Sequence, residues 1–251
     1  MGHKLRILGQ FELRQTWDEK MILFYTLICP AIYYVIADIS TGGRPFGLKN
    51  VAYQLLGYWV YIILVGVLNG FQFGLIGMRE SNFLKMFTLI SGDKRLIFYS
   101  NLLVQTLFIQ VEIVCFDLFV LILDPAARRL LPIMMGGLLV NFILIPIVVG
   151  FTNFILVLPI RVNLASLLAM GYILLAMLLV NITVANEWLT QLLIALNPGS
   201  YMVAVYSMVL LRVPGQVESN GLLLVVIAGV YLVTGYYWVQ HMSLQSNTSR
   251  Y

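Results

Sequence analysis

Six apolar runs dominate the 251-residue chain: Met21–Ile39, Leu55–Met78, Leu96–Leu123, Leu131–Leu158, Leu164–Val184 and Leu222–Val239. A helix rises about 1.5 Å per residue, so about 20 apolar residues cross the roughly 30 Å hydrocarbon layer of a bilayer. Backbone groups inside that layer must find their partners within the protein, and long unbroken apolar runs do so as helices. The expected fold class is an all-α polytopic membrane protein with six transmembrane helices. Composition agrees: 61% of residues are hydrophobic and 10% charged, against about 45–50% and about 25% in soluble domains. The runs divide the chain into a polar N-terminal segment 1–20, a transmembrane domain 21–239 and a C-terminal tail 240–251.

The same pattern excludes several kinds of chemistry. Cys29 and Cys115 both fall in apolar runs, and His3 and His241 lie near opposite ends, so neither a disulfide framework nor a metal site is expected. There is no G-x-x-x-x-G-K-[ST], no H-E-x-x-H and no G-x-S-x-G, which removes a nucleotide-hydrolysing loop and the common hydrolase signatures from this chain. The net charge of +4 comes from basic residues scattered beside the spans; there they set orientation and suggest no nucleic-acid partner. The first 20 residues carry Glu12, Asp18 and Glu19 and no uncharged core, unlike a signal peptide. An apolar stripe of Ile7, Leu8, Phe11 and Trp17 within Lys4–Lys20 predicts an interfacial helix.

With the N-terminus inside, ten basic residues fall on the inner side, including Arg79, Lys85, Lys94, Arg95 and Arg161. Five fall outside: Arg44, Lys49, Arg128, Arg129 and Arg212. The positive-inside rule then places both termini in the cytoplasm of a cell-membrane protein. The polar segment 79–95 becomes cytoplasmic. Within it Phe83, Met86, Phe87 and Ile90 recur at i, i+3, i+4 and i+7, the spacing of an amphipathic helix that fills a groove or lies on a membrane. The outer segment 185–212 is apolar on both sides of Asn197-Pro198-Gly199, and each half is too short to span; two short re-entrant helices are expected. Tyr25, Tyr58, Trp59, Tyr236 and Tyr237 are expected at the membrane interfaces.

The costliest residue is Glu112, sixteen positions into the third run. An ionised carboxylate at the midplane costs at least about 2.5–3.5 kcal/mol. It reads either as a proton or substrate-path site or as a neutral, hydrogen-bonded carboxyl at a helix interface. Gln105, seven residues earlier, shares nearly the same face. Asp117 lies nearer the outer interface and is expected to be hydrated. Asn69 and Gln72 are further deep polar groups, able to line a path or to bond between helices. Gly66, Gly70 and Gly74 form a small-residue row suited to close helix packing.

This layout resembles the transmembrane permease subunit of type-2 ABC exporters, the type V exporter fold. The features that carry the resemblance are the N-terminal interfacial helix, six spans with both ends inside, and a segment opening on the basic–acidic pair Arg79-Glu80 and continuing as Phe83–Ile90. The fourth is Asn197-Pro198-Gly199-Ser200-Tyr201, which looks like the family's Asn-Pro-x-x-Tyr element. Ser207 stands where that family often has a basic residue or Gln. The resemblance implies that Arg79, Glu80, Phe83, Met86, Phe87 and Ile90 couple the chain to a separate ABC ATPase, expected in two copies. ATP and Mg²⁺ would be held there, with no cofactor in this chain. It also implies a second permease subunit, the same or homologous, and export of a hydrophobic or amphipathic drug, peptide or lipid-like substrate. Two other readings stand beside it: a secondary or proton-coupled transporter centred on Glu112, and a non-transporting immunity or assembly protein of the membrane.

Overall fold

The computed structural model describes residues 20–40, 48–180, 182, 186–211 and 221–243. The interfacial helix expected in segment 1–20, most of the tail, Arg44, Asn181 and Arg212 lie outside the described residues, Lys20 excepted. All regular structure among the described residues is helical. In chain order the helices are α1 (Lys20–Ser40), α2 (Leu48–Val65), a π turn (Gly66–Gln72), α3 (Phe73–Glu80), α4 (Phe83–Ser91) and α5 (Lys94–Leu123). A 3-10 turn (Pro125–Leu130) leads into α6 (Leu131–Thr152) and a second one (Asn153–Leu156) follows it. Then come α7 (Val162–Val180), α8 (Glu187–Leu196), α9 (Pro198–Tyr206) with a terminal π turn (Ser207–Leu211), and α10 (Gly221–His241).

Among the described residues five stretches are long and apolar enough to cross a membrane: Asn50–Glu80, Lys94–Leu123, Pro125–Leu156, Val162–Val180 and Gly221–His241. The first run coincides with α1, whose apolar part over the described side chains is the shorter Tyr25–Ala37. The pair α8 and α9 bends by 109° at Asn197.

The second run sits at the centre. Leu55, Trp59, Ile62, Ile63, Leu64 and Leu68 have essentially no exposure. A helix apolar on every face must be enclosed by others. The π turn explains how α5 comes so close. A Cβ placed on Gly66 would meet Ile109 Cγ1 at 2.6 Å, and one on Gly70 would meet Gln105 Nε2 at 2.0 Å. The widened turn frees a carbonyl, and Gln105 Nε2 donates to Gly66 O at 3.3 Å. Gly74, the third of the row, has nothing within 4 Å of a built Cβ; it faces open space rather than a helix. α6 and α10 meet backbone to backbone, since a Cβ on Gly235 would lie 2.4 Å from Gly150 Cα.

Candidate functional site

The end of the bundle carrying α4 concentrates charge; Lys85 and Asp93 are exposed, whereas Arg79, Glu80 and Lys94 bond to other parts of the backbone. Arg79 is 3% exposed. Its Nη1 donates to Leu156 O (2.9 Å), Leu158 O (3.1 Å) and Ser243 Oγ (3.3 Å), and its Nη2 to Ile160 O (2.9 Å). Leu156 O ends the 3-10 turn after α6, and Leu158 O and Ile160 O belong to the linker that leads into α7. Glu80 Oε1 accepts from Val162 N at 2.9 Å, so a carboxylate meets the positive start of α7. Lys94 Nζ donates to Gln240 O (2.6 Å) and Met242 O (2.9 Å), the carbonyl end of α10. Arg95 lies 5.7 Å from the centre of the Tyr236 ring. Sequence reasoning placed Arg79 and Glu80 on a surface that meets a partner. Folding commits Arg79 to the backbone of the 156–160 linker, Glu80 to the start of α7 and Lys94 to the end of α10, because buried backbone groups at helix ends and turns need partners.

Between these contacts, α4 is held by Leu84, which is 1% exposed. Its turns pivot on left-handed residues: Asn82 at φ 60° before it and Gly92 at φ 85° after it. Asn tolerates that region better than most residues and Gly freely. Phe83 (48%), Met86 (45%) and Leu89 (78%) are exposed, while Phe87 is partly buried and packs against the core. Nothing is described of the Ile90 side chain. Among the described side chains the uncovered apolar face is Phe83–Met86–Leu89; of the expected set Phe87 is turned toward the core. Six of the nine residues of α4 are apolar, so periodicity alone could not choose the outward face.

A groove of about 810 Å³ runs from α4 along α3, the π turn and α2, walled by α1 and α7. Tyr25, Tyr61, Asn69, Ser81 and Ser166 are its polar lining; Val65, Phe73, Gly74, Gly77, Met170, Ile173 and Leu174 are apolar; no charged side chain among the described residues lines it. Phe83 and Phe87 form its rim at the α4 end. Met170 and Leu174 are well exposed, so the groove opens sideways.

The four deep polar residues picked from the sequence do not line one path. Asn69 alone lines the groove. Gln72 Nε2 donates to Thr152 Oγ1 (2.9 Å) and Asn153 Oδ1 (3.0 Å) on the α6 side. Glu112 is 4% exposed and accepts from Thr26 Oγ1 of α1 at 2.8 Å; its second oxygen has no partner among the described residues. Glu112 and Gln105 do share a neighbour, since both lie against Gly66.

Sequence reasoning missed a second polar cluster. Trp59 Nε1 donates to Asp117 Oδ1 at 2.8 Å, the Trp59 ring meets Tyr206 edge-on at 5.7 Å, and Tyr206 OH donates to Asn141 Oδ1. All four are buried. Asp117 is buried and bonded within the bundle rather than open to solvent, and Trp59 and Tyr58 are core residues rather than interface markers. The available signal was the indole N–H itself, which seeks an acceptor when it enters an apolar interior. At the bend between α8 and α9, Asn197 Oδ1 accepts from Gly199 N (3.1 Å) and Nδ2 donates to Ala176 O (3.0 Å) and Ser200 Oγ (2.9 Å). Pro198 opens α9, and Tyr201 OH donates to Leu224 O of α10 at 3.3 Å.

Compared with known proteins, the chain matches no family model, no curated protein and no solved structure.

Proposed function

We propose that this chain is the transmembrane permease subunit of an ATP-driven exporter of the type-2 ABC kind. In this reading it crosses the cell membrane six times with both termini in the cytoplasm. α1 is the first span, and α8–α9 re-enters from the outer side. The substrate is a hydrophobic or amphipathic molecule, and a second permease subunit, the same or homologous, completes the pathway. The observation that carries the reading is the place of α4. It presents Phe83, Met86 and Leu89 outward, and Phe83 also forms the rim of the groove. A partner seated on α4 would thus press on the groove's mouth. The groove's volume lies in the range of about 300–1,000 Å³ typical of small-molecule sites, and its uncharged lining suits an apolar ligand taken from lipid. The ATPase holds ATP and Mg²⁺; this chain supplies the docking face and the path.

The test is the triple variant Phe83→Ala, Met86→Ala, Leu89→Ala, co-expressed with a candidate P-loop ATPase. Buried anchors each contribute about 2 kcal/mol or more to an interface. Leu84 and Phe87 still hold α4 to the bundle, so the variant should insert and purify normally. It should fail to recover the ATPase in detergent or to stimulate its ATP hydrolysis. An unchanged complex with unchanged activity would leave α4 as a lipid-seated helix and remove the exporter reading.

A further inference from the structure

We propose that Arg79, Glu80 and Lys94 are positioning residues. They form two clasps that carry a displacement of α4 separately into the turn before α7 and into the end of α10. α4 lies between two left-handed pivots, Asn82 and Gly92. Immediately outside each pivot a buried or half-buried charge grips the backbone at another helix end or turn. Outside the first, the Arg79 guanidinium spans Leu156 O, Leu158 O and Ile160 O, and its sequence neighbour Glu80 holds Val162 N. One short stretch, 156–162, is thus held from both directions by adjacent residues. Outside the second, Lys94 holds Gln240 O and Met242 O. Glu80 and Lys94 each face a helix-end dipole of opposite sign, and every bond of the three residues is charge-assisted, so these links resist stretching better than the van der Waals contacts around them. A shift of α4 that displaces Asn82 and Gly92 therefore pulls the adjoining clasp at each end, and through it another part of the bundle, by independent routes. One such part, α7, forms a wall of the groove. Ser243, the weakest Arg79 partner at 3.3 Å, adds a minor link to α10. What displaces α4 rests on the exporter reading; the linkage itself belongs to this chain.

The experiment uses the full chain with Cys29 and Cys115 replaced by Ser. Spin labels are placed on cysteines at the exposed positions Lys85 and Arg161, or Lys85 and His241. Double electron–electron resonance then reads the width of each distance distribution. Arg79→Gln should roughly double the 85–161 width, as expected for local release of an element, and leave the 85–241 width nearly unchanged. Lys94→Gln should do the reverse. If neither variant alters its own distance, or if either one broadens both alike, the residues serve general stability and the two-clasp inference is overturned. Should Arg79→Gln fail to accumulate, Glu80→Ala decides. It removes the cap on Val162 and leaves the Arg79 bonds to the backbone in place, and an unchanged 85–161 width would overturn the first clasp. Undiminished ATPase docking by the α4 variant would sink the function while leaving these widths as expected, so the two ideas fail separately.

Discussion

Replacing Glu112 by Gln tests whether a carboxyl at membrane depth is structural or works by charge. The amide oxygen can still accept from Thr26 Oγ1, the bond now made at 2.8 Å. The second carboxyl oxygen already lacks a partner among the described residues, so an amide there exchanges one unsatisfied group for another. The change in stability should stay within about 1 kcal/mol, read as an unfolding midpoint in detergent close to that of the original chain. Transport in vesicles should persist with the same pH profile. Loss of transport at normal yield would instead favour the proton-coupled reading. The cost of Glu112 was legible in the sequence, since any carboxylate deep in an apolar run is expensive. Its partner was not. Which side chain meets Glu112 depends on how α1 is rotated against α5, and hydropathy carries no phase information between separate helices. The same gap hid the Trp59–Asp117 bond, because an interface aromatic and a buried one have identical local sequence signals.

At the level of elements, chain punctuation was read well and facing was not. Asn197-Pro198-Gly199 was expected to break an apolar stretch, and it does so by chemistry readable from the residue types: an Asn side chain caps a helix, and Pro suits its first turn. What the sequence did not contain was the second use of that side chain, the bond from Asn197 Nδ2 to Ala176 O on α7. Asn197→Ala should lose the cap, worth about 1 kcal/mol, and also the bond to Ala176 O, worth about 0.5–1.5 kcal/mol. Asn197→Asp keeps the acceptor for Gly199 N but has no donor for Ala176 O, and buries a carboxyl that is now 3% exposed as an amide. Thermal unfolding should therefore rank Asp no better than Ala. A variant Asp chain as stable as the original would show that only the cap matters and that the tie to α7 is idle. The polar segment 79–95 illustrates the opposite limit. Its helix was legible from spacing, yet its charges looked like a solvated rim because the helix ends and turns they satisfy are 77–164 positions away.

Across the whole molecule, six apolar runs were enough to anticipate an all-helical membrane fold, because hydrocarbon thickness and backbone satisfaction leave few alternatives. The groove was not anticipated, since a cavity is a property of how several helices fail to meet. Its floor nevertheless has a sequence signature in Gly74 and Gly77, which have nothing within 4 Å of a built Cβ, whereas a Cβ on Gly137 would meet the Trp59 ring at 2.4 Å. Enlarging the two kinds of glycine should have opposite consequences. Gly137→Leu forces a ring in the central helix to move and should destabilise by about 1–3 kcal/mol or more, with poor yield. Gly74→Leu and Gly77→Leu project into open space and should purify with an unfolding midpoint near that of the original chain; the gain in helix propensity over Gly, up to about 1 kcal/mol, works in their favour. Both shrink the groove where it approaches Phe83 and Phe87. If the groove is the substrate path, they should still bind the ATPase through the untouched face of α4, yet lose substrate export and any substrate stimulation of ATP hydrolysis. Full export by the folded double variant Gly74→Leu, Gly77→Leu would show that the substrate travels elsewhere, most directly along an interface with the second permease subunit.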